Sequence, residues 1–377
     1  MRINKFKVMT LALGIFIALV VGELAVRLAT GQIFEFRNLI VKSFHLNKNV
    51  PIGLFDPILG WKNSTSVDFI AKYFRKKTNL DTVLFKVTYD EQGFRRGANK
   101  FENLRKQETL IAIGDSFVWG GEVSNEETWP SHLEDLTGYR TLNAGVSVYG
   151  LDQMLLSLQK LLKGGQNPSV VIFGLTQDNI DRLVRTHRID SPSGSAARKP
   201  YFVIEKGDLL LQGVPIPETG SSSSLGLARN ILGYSSLADL FFKKIALSWW
   251  YAFPKKGKFP LKYKTKESAL ELACLILKKF KSLSLRHSFS PVIIYQDYWQ
   301  DPNQVYDSNP TKEKILACAR DLEILVLDSK EFLKPIFEQD FDEYETLFVS
   351  AGHMSNRGNL LTAQVIARAI KPPQKTK

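Results

Sequence analysis

The first apolar run of the chain is long and carries no charge. Residues 8–22 are uncharged and largely apolar, and the pattern continues through Leu24, Ala25, Val26, Leu28 and Ala29 with Glu23 and Arg27 breaking it. Arg2, Lys5 and Lys7 stand in front of it. A basic flank followed by an apolar helix predicts a targeting or anchoring segment over residues 1–31, with the amino end held in the cytoplasm and the remainder outside. The uncharged core is 15 residues, short of the roughly 20 that a spanning helix needs. No small-x-small cleavage site follows at once, which favours a retained signal anchor over a removed peptide. Glu23 and Arg27 are spaced i, i+4, so they can pair or reach toward the interface.

Residues 32–106 are mixed and weakly periodic, broken by Pro51, Gly53, Pro57 and Gly60. They predict a juxtamembrane connection running into a small β-containing cap. From Thr109 onward the pattern changes. Short apolar runs at 110–113, 141–146, 170–175, 292–295 and 324–327 read as strands buried on both faces. Helical segments at 129–136, 151–162, 266–285 and 311–322 separate several of them, and 358–370 reads as a closing helix. This βαβ alternation over residues 107–372 predicts a three-layer α/β/α sandwich on a mainly parallel five-stranded sheet. A long connection at about 181–264 interrupts the alternation; a stretch of that length reads as a lid or an inserted unit. Within it, residues 201–204 and 209–211 predict a β-hairpin, and 191–197 and 220–224 flexible loops.

Composition adds a formal net charge of +12 and a pI near 9.4. No helix-turn-helix, zinc-finger or RNA-recognition motif accompanies that charge, so a nucleic-acid partner is not expected. The basic residues crowd into positions 241–286 together with Trp249, Trp250, Tyr251 and Phe253. That stretch is either a solvated face over the core, or a contact with an anionic membrane surface or an anionic polymer. Cys274 and Cys318 lie in helix-like segments with no metal-ligand spacing. Buried free thiols are expected, with one disulfide open to an exported domain, and no metal or cofactor is implied.

The candidate chemistry begins where the first strand of the α/β part ends. Gly114 and Asp115 supply turn residues there, which puts Ser116 at the mouth of the sheet, where α/β folds bind ligands. On that segment alone Asp115 and Ser116 read equally well as a helix cap. Two distant segments join it. The second strand runs into Asn143, Ala144 and Gly145, and near the carboxyl end Gly352, His353 and Met354 precede Ser355, Asn356, Arg357, Gly358 and Asn359. This ordered set resembles the SGNH/GDSL hydrolase superfamily, whose first block is here Gly114, Asp115, Ser116 and Phe117. Leu59, Gly60, Trp61, Tyr89, Asp90, Gly93, Phe94 and Arg95 are similar to the lead-in of membrane-anchored bacterial members, so the resemblance runs from about Asp56 to Ile370.

The resemblance implies a flavodoxin-like sheet, Ser116 as nucleophile and His353 as its base. The amides of Ser116 and Gly145 would be oxyanion donors, Gly145 because it lacks a side chain to keep substrate off the backbone. A third donor, an Asn in the family, would be Asn179 or Gln177 here. The family's acid stands three residues before the histidine, and that position is Ser350. The site is therefore expected to run as a Ser/His dyad, to recruit Asp340, Asp342 or Glu345, or to have reduced activity. The implied function is an extracytoplasmic serine esterase or O-acyltransferase acting on an ester, tilted toward an O-acylated cell-envelope carbohydrate. The alternative is a binding module for an acylated polymer or membrane surface that has kept the fold.

Overall fold

The apolar runs from Thr109 onward form one parallel sheet, and its strand order explains where the site lies. The computed structural model describes residues 5–34, 39, 53–74, 82–97, 108–189, 196–216, 226–250, 266–300, 309–349 and 352–370. The strands are β1 (Thr109–Gly114), β2 (Arg140–Asn143), β3 (Val170–Leu175), β4 (Ser290–Tyr295) and β5 (Leu325–Asp328). The helices that matter here are α1 (Lys5–Ala29), α2 (Ser116–Trp119), α3 (Trp129–Thr137), α4 (Leu151–Lys163), α5 (Ser236–Ile245), α6 (Lys266–His287), α7 (Pro310–Asp321) and α8 (Asn356–Ala369). All pairings within the sheet are parallel, in the order β5-β4-β3-β1-β2. This is the flavodoxin-like doubly wound order, in which the chain reverses its direction of growth between β1 and β3 and leaves a crevice at their carboxyl ends.

Both faces of the central strands β1, β3 and β4 are covered, which is why they read as continuous apolar runs, whereas the edge strand β5, expected to be buried on both faces, leaves Leu325 exposed. On one face Leu110, Ala112, Val170, Ile172, Val292 and Ile294 pack with Trp129 and Leu133 of α3 and with Ala363 and Ile366 of α8. On the other, Phe173 stacks on Phe280 of α6 with ring centroids 4.0 Å apart. The register places Ile111 beside Val171 and Ile113 beside Phe173, so each face holds one parity of the strands. Layer, sheet and layer are as expected from the sequence.

The chain divides into two compact units. One comprises Asn47–Arg188, Arg198–Ile216 and Leu261–Lys377 and contains the sheet. It also holds antiparallel pairs formed by Leu54–Asp56 with Gly60–Lys62, Val67–Phe74 with Thr82–Tyr89, and Tyr201–Glu205 with Asp208–Gln212. Cys274 on α6 and Cys318 on α7 are partly exposed free thiols. The other unit comprises Met1–Leu46, Ile189–Ala197 and Pro217–Pro260. Its helix α1 contains a 24-residue apolar span, Phe6–Ala29, whose most apolar 18-residue stretch has a mean hydropathy of 2.3 and no buried residue, while Arg27 near its end is buried. That span is long and apolar enough to cross a membrane. Trp250, grouped by sequence with the surface aromatics, is fully buried, stacks on Phe242 at 4.9 Å and donates its Nε1–H to Asp239 at 2.8 Å. Tyr251, Phe253, the lysines at 255, 256, 258, 262 and 264, the 220–224 loop and Ser350 lie outside the described residues.

Candidate active site

Helix α2 lies close against the carboxyl ends of β1 and β3 because β1 ends on Gly114 and β3 carries Gly174 as its last residue but one. A Cβ on either Gly114 or Gly174 would collide with Val118 of that helix. Asp115 then caps α2: its Oδ1 accepts the Phe117 amide at 3.0 Å and its Oδ2 accepts Arg182 Nη1 at 2.8 Å. Asp115 therefore is the helix cap, and Ser116 follows it as the first helical residue with its amide at the open end of the helix.

His353 comes from the other end of the chain, 237 residues away, and its Nε2 lies 2.8 Å from Ser116 Oγ. Its loop is tied back by Val349 N–H donating to the His353 carbonyl at 2.8 Å, and α8 begins just beyond, where Ser355 caps the Gly358 amide. Gly358 admits no side chain, because a Cβ there would strike the Leu347 carbonyl. The imidazole itself lies over Gly121: a Cβ at that position would stand 3.0 Å from three ring atoms. Phe117 holds another side of the ring at 5.0 Å. Each glycine here is a place where backbone or ring must approach closely.

The second ring nitrogen meets a carboxylate that the sequence reading did not name. His353 Nδ1 lies 3.1 Å from Oε1 of Glu122, a side chain only 4% exposed. An ionised carboxylate can only accept, so it fixes the proton on Nδ1 and leaves Nε2 to accept from Ser116. Glu122 has φ +68°, a left-handed conformation that costs a non-glycine residue about 1–2 kcal/mol. Strain of this kind persists where the surroundings over-determine it. Here the surroundings are Arg95. Its buried guanidinium donates to the carbonyls of Trp119 and Gly120, each at 2.6 Å, and of Val123 at 2.5 Å, so it grips the turn on both sides of Glu122. It also lies over the Trp119 ring at 4.8 Å. Burial pushes its pKa down, to about 10, which still leaves it charged at neutral pH. The lead-in segment thus serves the site: Tyr89 accepts from Trp119 Nε1 at 2.8 Å, and Asn63 donates to the Gly145 carbonyl at 2.9 Å.

Replacing Arg95 by Met should lower the unfolding free energy by about 3 kcal/mol, since several buried carbonyls lose their donor at once. Arg95→Lys should recover little, because an ammonium lacks the planar fork that reaches those carbonyls together. Urea unfolding of the detergent-solubilised chain measures both; a loss under 1 kcal/mol for Met would refute the clamp.

The remaining expected residues are placed differently. Gly145 donates its amide to Asn143 Oδ1 at 3.0 Å, and its lack of a side chain is required by Trp119, whose backbone a Cβ would strike. Asn179 is fully buried, donating to the Tyr149 carbonyl at 2.8 Å and accepting the Thr176 amide at 2.6 Å. Gln177 donates to Asp181 at 2.9 Å and accepts from Asn309 at 2.7 Å. Neither side chain hydrogen-bonds to Ser116. Asp340 caps the helix Phe341–Thr346 by accepting the Glu343 amide at 2.9 Å, and Asp342 and Glu345 lie in that helix. The carboxylate at the imidazole is Glu122 and not Asp340, Asp342 or Glu345. Among the described residues no cluster of three or more His, Cys, Asp or Glu side chains could hold a metal ion.

A serine, an imidazole and a carboxylate in line at the switch point of a parallel sheet are the parts of a serine acyl-transfer site. No protein-family model matches the chain, and no curated protein matches it. Among solved structures it is similar to one described as a lipolytic protein of the G-D-S-L family from Desulfitobacterium hafniense DCB-2. Identity there is 13% over 70% of this chain and 99% of that one, with a TM-score of 0.37. It is also similar to an acetyl xylan esterase from the rumen bacterium Butyrivibrio proteoclasticus, at 9% identity over 69% of this chain and 62% of that one, with a TM-score of 0.33.

Proposed function

We propose that the protein is a serine esterase or O-acyltransferase of the SGNH kind, anchored by α1, with its α/β unit outside the cytoplasm. The observation that carries this is the hydrogen-bonded line Ser116 Oγ, His353 Nε2, His353 Nδ1, Glu122 Oε1. Ser116 Oγ attacks the ester carbonyl as its proton passes to Nε2. The imidazolium formed is stabilised by Glu122, and the Ser116 amide at the start of α2 donates to the developing oxyanion. Collapse of the tetrahedral intermediate breaks the bond to the alcohol, which leaves with the proton from Nε2. A water or a sugar hydroxyl then gives its proton to Nε2 and takes the acyl group, restoring Ser116. The Gly145 amide would join the oxyanion hole only by giving up Asn143. An O-acylated cell-envelope carbohydrate suits an anchored enzyme, which works where that polymer lies.

A catalytically silent binding module drew its support from the serine at position 350, and the Glu122 carboxylate removes that support. A fluorophosphonate probe separates the two. The enzyme reading requires stoichiometric labelling confined to Ser116 and lost in Ser116→Ala. An unlabelled, folded protein would sink it in favour of the binding module.

A further inference from the structure

Helix α5 is inside out for a helix in water. Its only fully buried side chains are polar, Ser236 and Asp239, beside a half-buried Phe242 stacked on Trp250; Asp239 accepts from Trp250 Nε1 and pairs with Lys243 at 2.7 Å. Its outward side is Leu240, Phe241 and Ile245, the last 63% exposed. At about 100° per residue these three fall within an arc of about 140°, with the exposed Lys244 between them. The preceding helix, Leu227–Leu232, buries none of its residues and exposes Leu227 and Ile231. Large apolar side chains exposed together on two successive helices mark a contact with something other than water.

The attachment of α5 says what that contact is. Within the same unit, Glu23 of α1 accepts from Ser235 Oγ at 2.6 Å and from the Ser236 and Leu237 amides at 2.9 Å each, so α1 caps the start of α5. Arg27 bonds Glu23 at 2.5 Å and donates to the Tyr234 carbonyl at 2.7 Å. Gly22 packs beside Leu237, where a Cβ would stand 3.2 Å from its Cδ2. The two charges that interrupt the apolar span are thus spent on holding α5. A hydrocarbon layer of about 30 Å takes about 20 residues at 1.5 Å each, so a span starting near Val8 ends near Arg27. The start of α5 is therefore fixed at the level of the lipid headgroups.

We infer that α5 and the helix Leu227–Leu232 form a collar lying in the lipid interface at the outer end of α1. Leu240, Phe241 and Ile245 enter the acyl-chain boundary, and Lys244 reaches to the phosphates. The inference rests on the membrane-anchored reading above and adds a second, in-plane contact to it.

The test uses the full chain with Cys274→Ser and Cys318→Ser, reconstituted in phosphatidylcholine/phosphatidylglycerol vesicles. Nitroxide labels are placed singly through Phe241→Cys, Ile245→Cys or Ile15→Cys, and relaxation by oxygen is compared with relaxation by a water-soluble nickel chelate. The collar requires oxygen-to-nickel ratios at 241 and 245 several-fold above that of labelled free cysteine in buffer, and below the ratio at 15. Ratios at 241 and 245 equal to the buffer value, with 15 still oxygen-favoured, overturn the collar and leave the anchor standing. A nickel-favoured label at 15 removes the anchored reading and the collar with it. Spin–spin broadening at 241, relieved by dilution with unlabelled chain, would make the occupant a second copy and would also overturn the lipid assignment.

Discussion

Ser116→Ala and His353→Ala should each abolish turnover of simple acyl esters, by roughly 10⁶-fold in kcat, the scale set by serine sites whose nucleophile and base act as one unit. The structure supports this scale because Ser116 Oγ has its base at 2.8 Å with no intervening group. The double variant should be little worse than either single one, since removing the base from an enzyme without its nucleophile removes nothing further. Neither change touches the caps or glycines that hold α2 and α8, so circular dichroism and unfolding midpoints should stay near those of the parent. Single-turnover kinetics with an activated ester measure the outcome. Ser116→Ala retaining a tenth of the parent rate would place the nucleophile elsewhere and end the serine-esterase reading.

The sheet was legible because parallel strands buried on both faces leave unbroken apolar runs, and each of the five runs became a strand. The lead-in was less so. Val67–Phe74 and Thr82–Tyr89 pair over eight residues each, but their apolar and polar positions do not alternate cleanly, as with Phe69 next to Ile70 or Val83 next to Leu84. α5 was hidden for a different reason: its apolar face turns outward, so its pattern competes with a solvent-facing one. Ser116 and His353, the proposed nucleophile and base, stood out through the ordered set of blocks that resembles the SGNH/GDSL superfamily, since the turn at Asp115 and Ser116 alone reads equally well as a helix cap. The carboxylate at the imidazole did not, because Glu122 does not stand where the family's acid does and its place beside His353 depends on a left-handed turn held by Arg95. Three of the expected oxyanion donors were hard to judge for a related reason. Asn179, Gln177 and Gly145 are residues of the right type, and only the hydrogen-bond partners show them committed to the loops they sit in. A signal for Glu122 did exist: a carboxylate directly after Gly120 and Gly121, where the chain leaves a single-turn helix.

Glu122→Gln should cost roughly 10³- to 10⁴-fold in kcat with KM little changed, by comparison with the loss seen when a triad carboxylate becomes an amide. Two effects act together. A carboxamide no longer stabilises the imidazolium that forms as Ser116 gives up its proton. It can also present its NH₂ to Nδ1, which favours the tautomer with the proton on Nε2, and that nitrogen then cannot act as a base. Glu122→Gly separates catalysis from stability. Glycine adopts φ +68° without strain, so relief of about 1 kcal/mol offsets the lost hydrogen bond and the unfolding midpoint should barely move, while turnover falls at least as far as in Glu122→Gln. A carboxylate that served only to hold the loop would give the opposite pattern, with a lowered midpoint and near-normal kcat. Glu122→Asp is the third member of the series. The shorter side chain keeps the charge but withdraws it from a nitrogen 3.1 Å away, so its rate should lie between the parent and Gln. Equal rates for Asp and Gln would mean that charge at this position does not matter, and the site would then be a Ser116–His353 dyad.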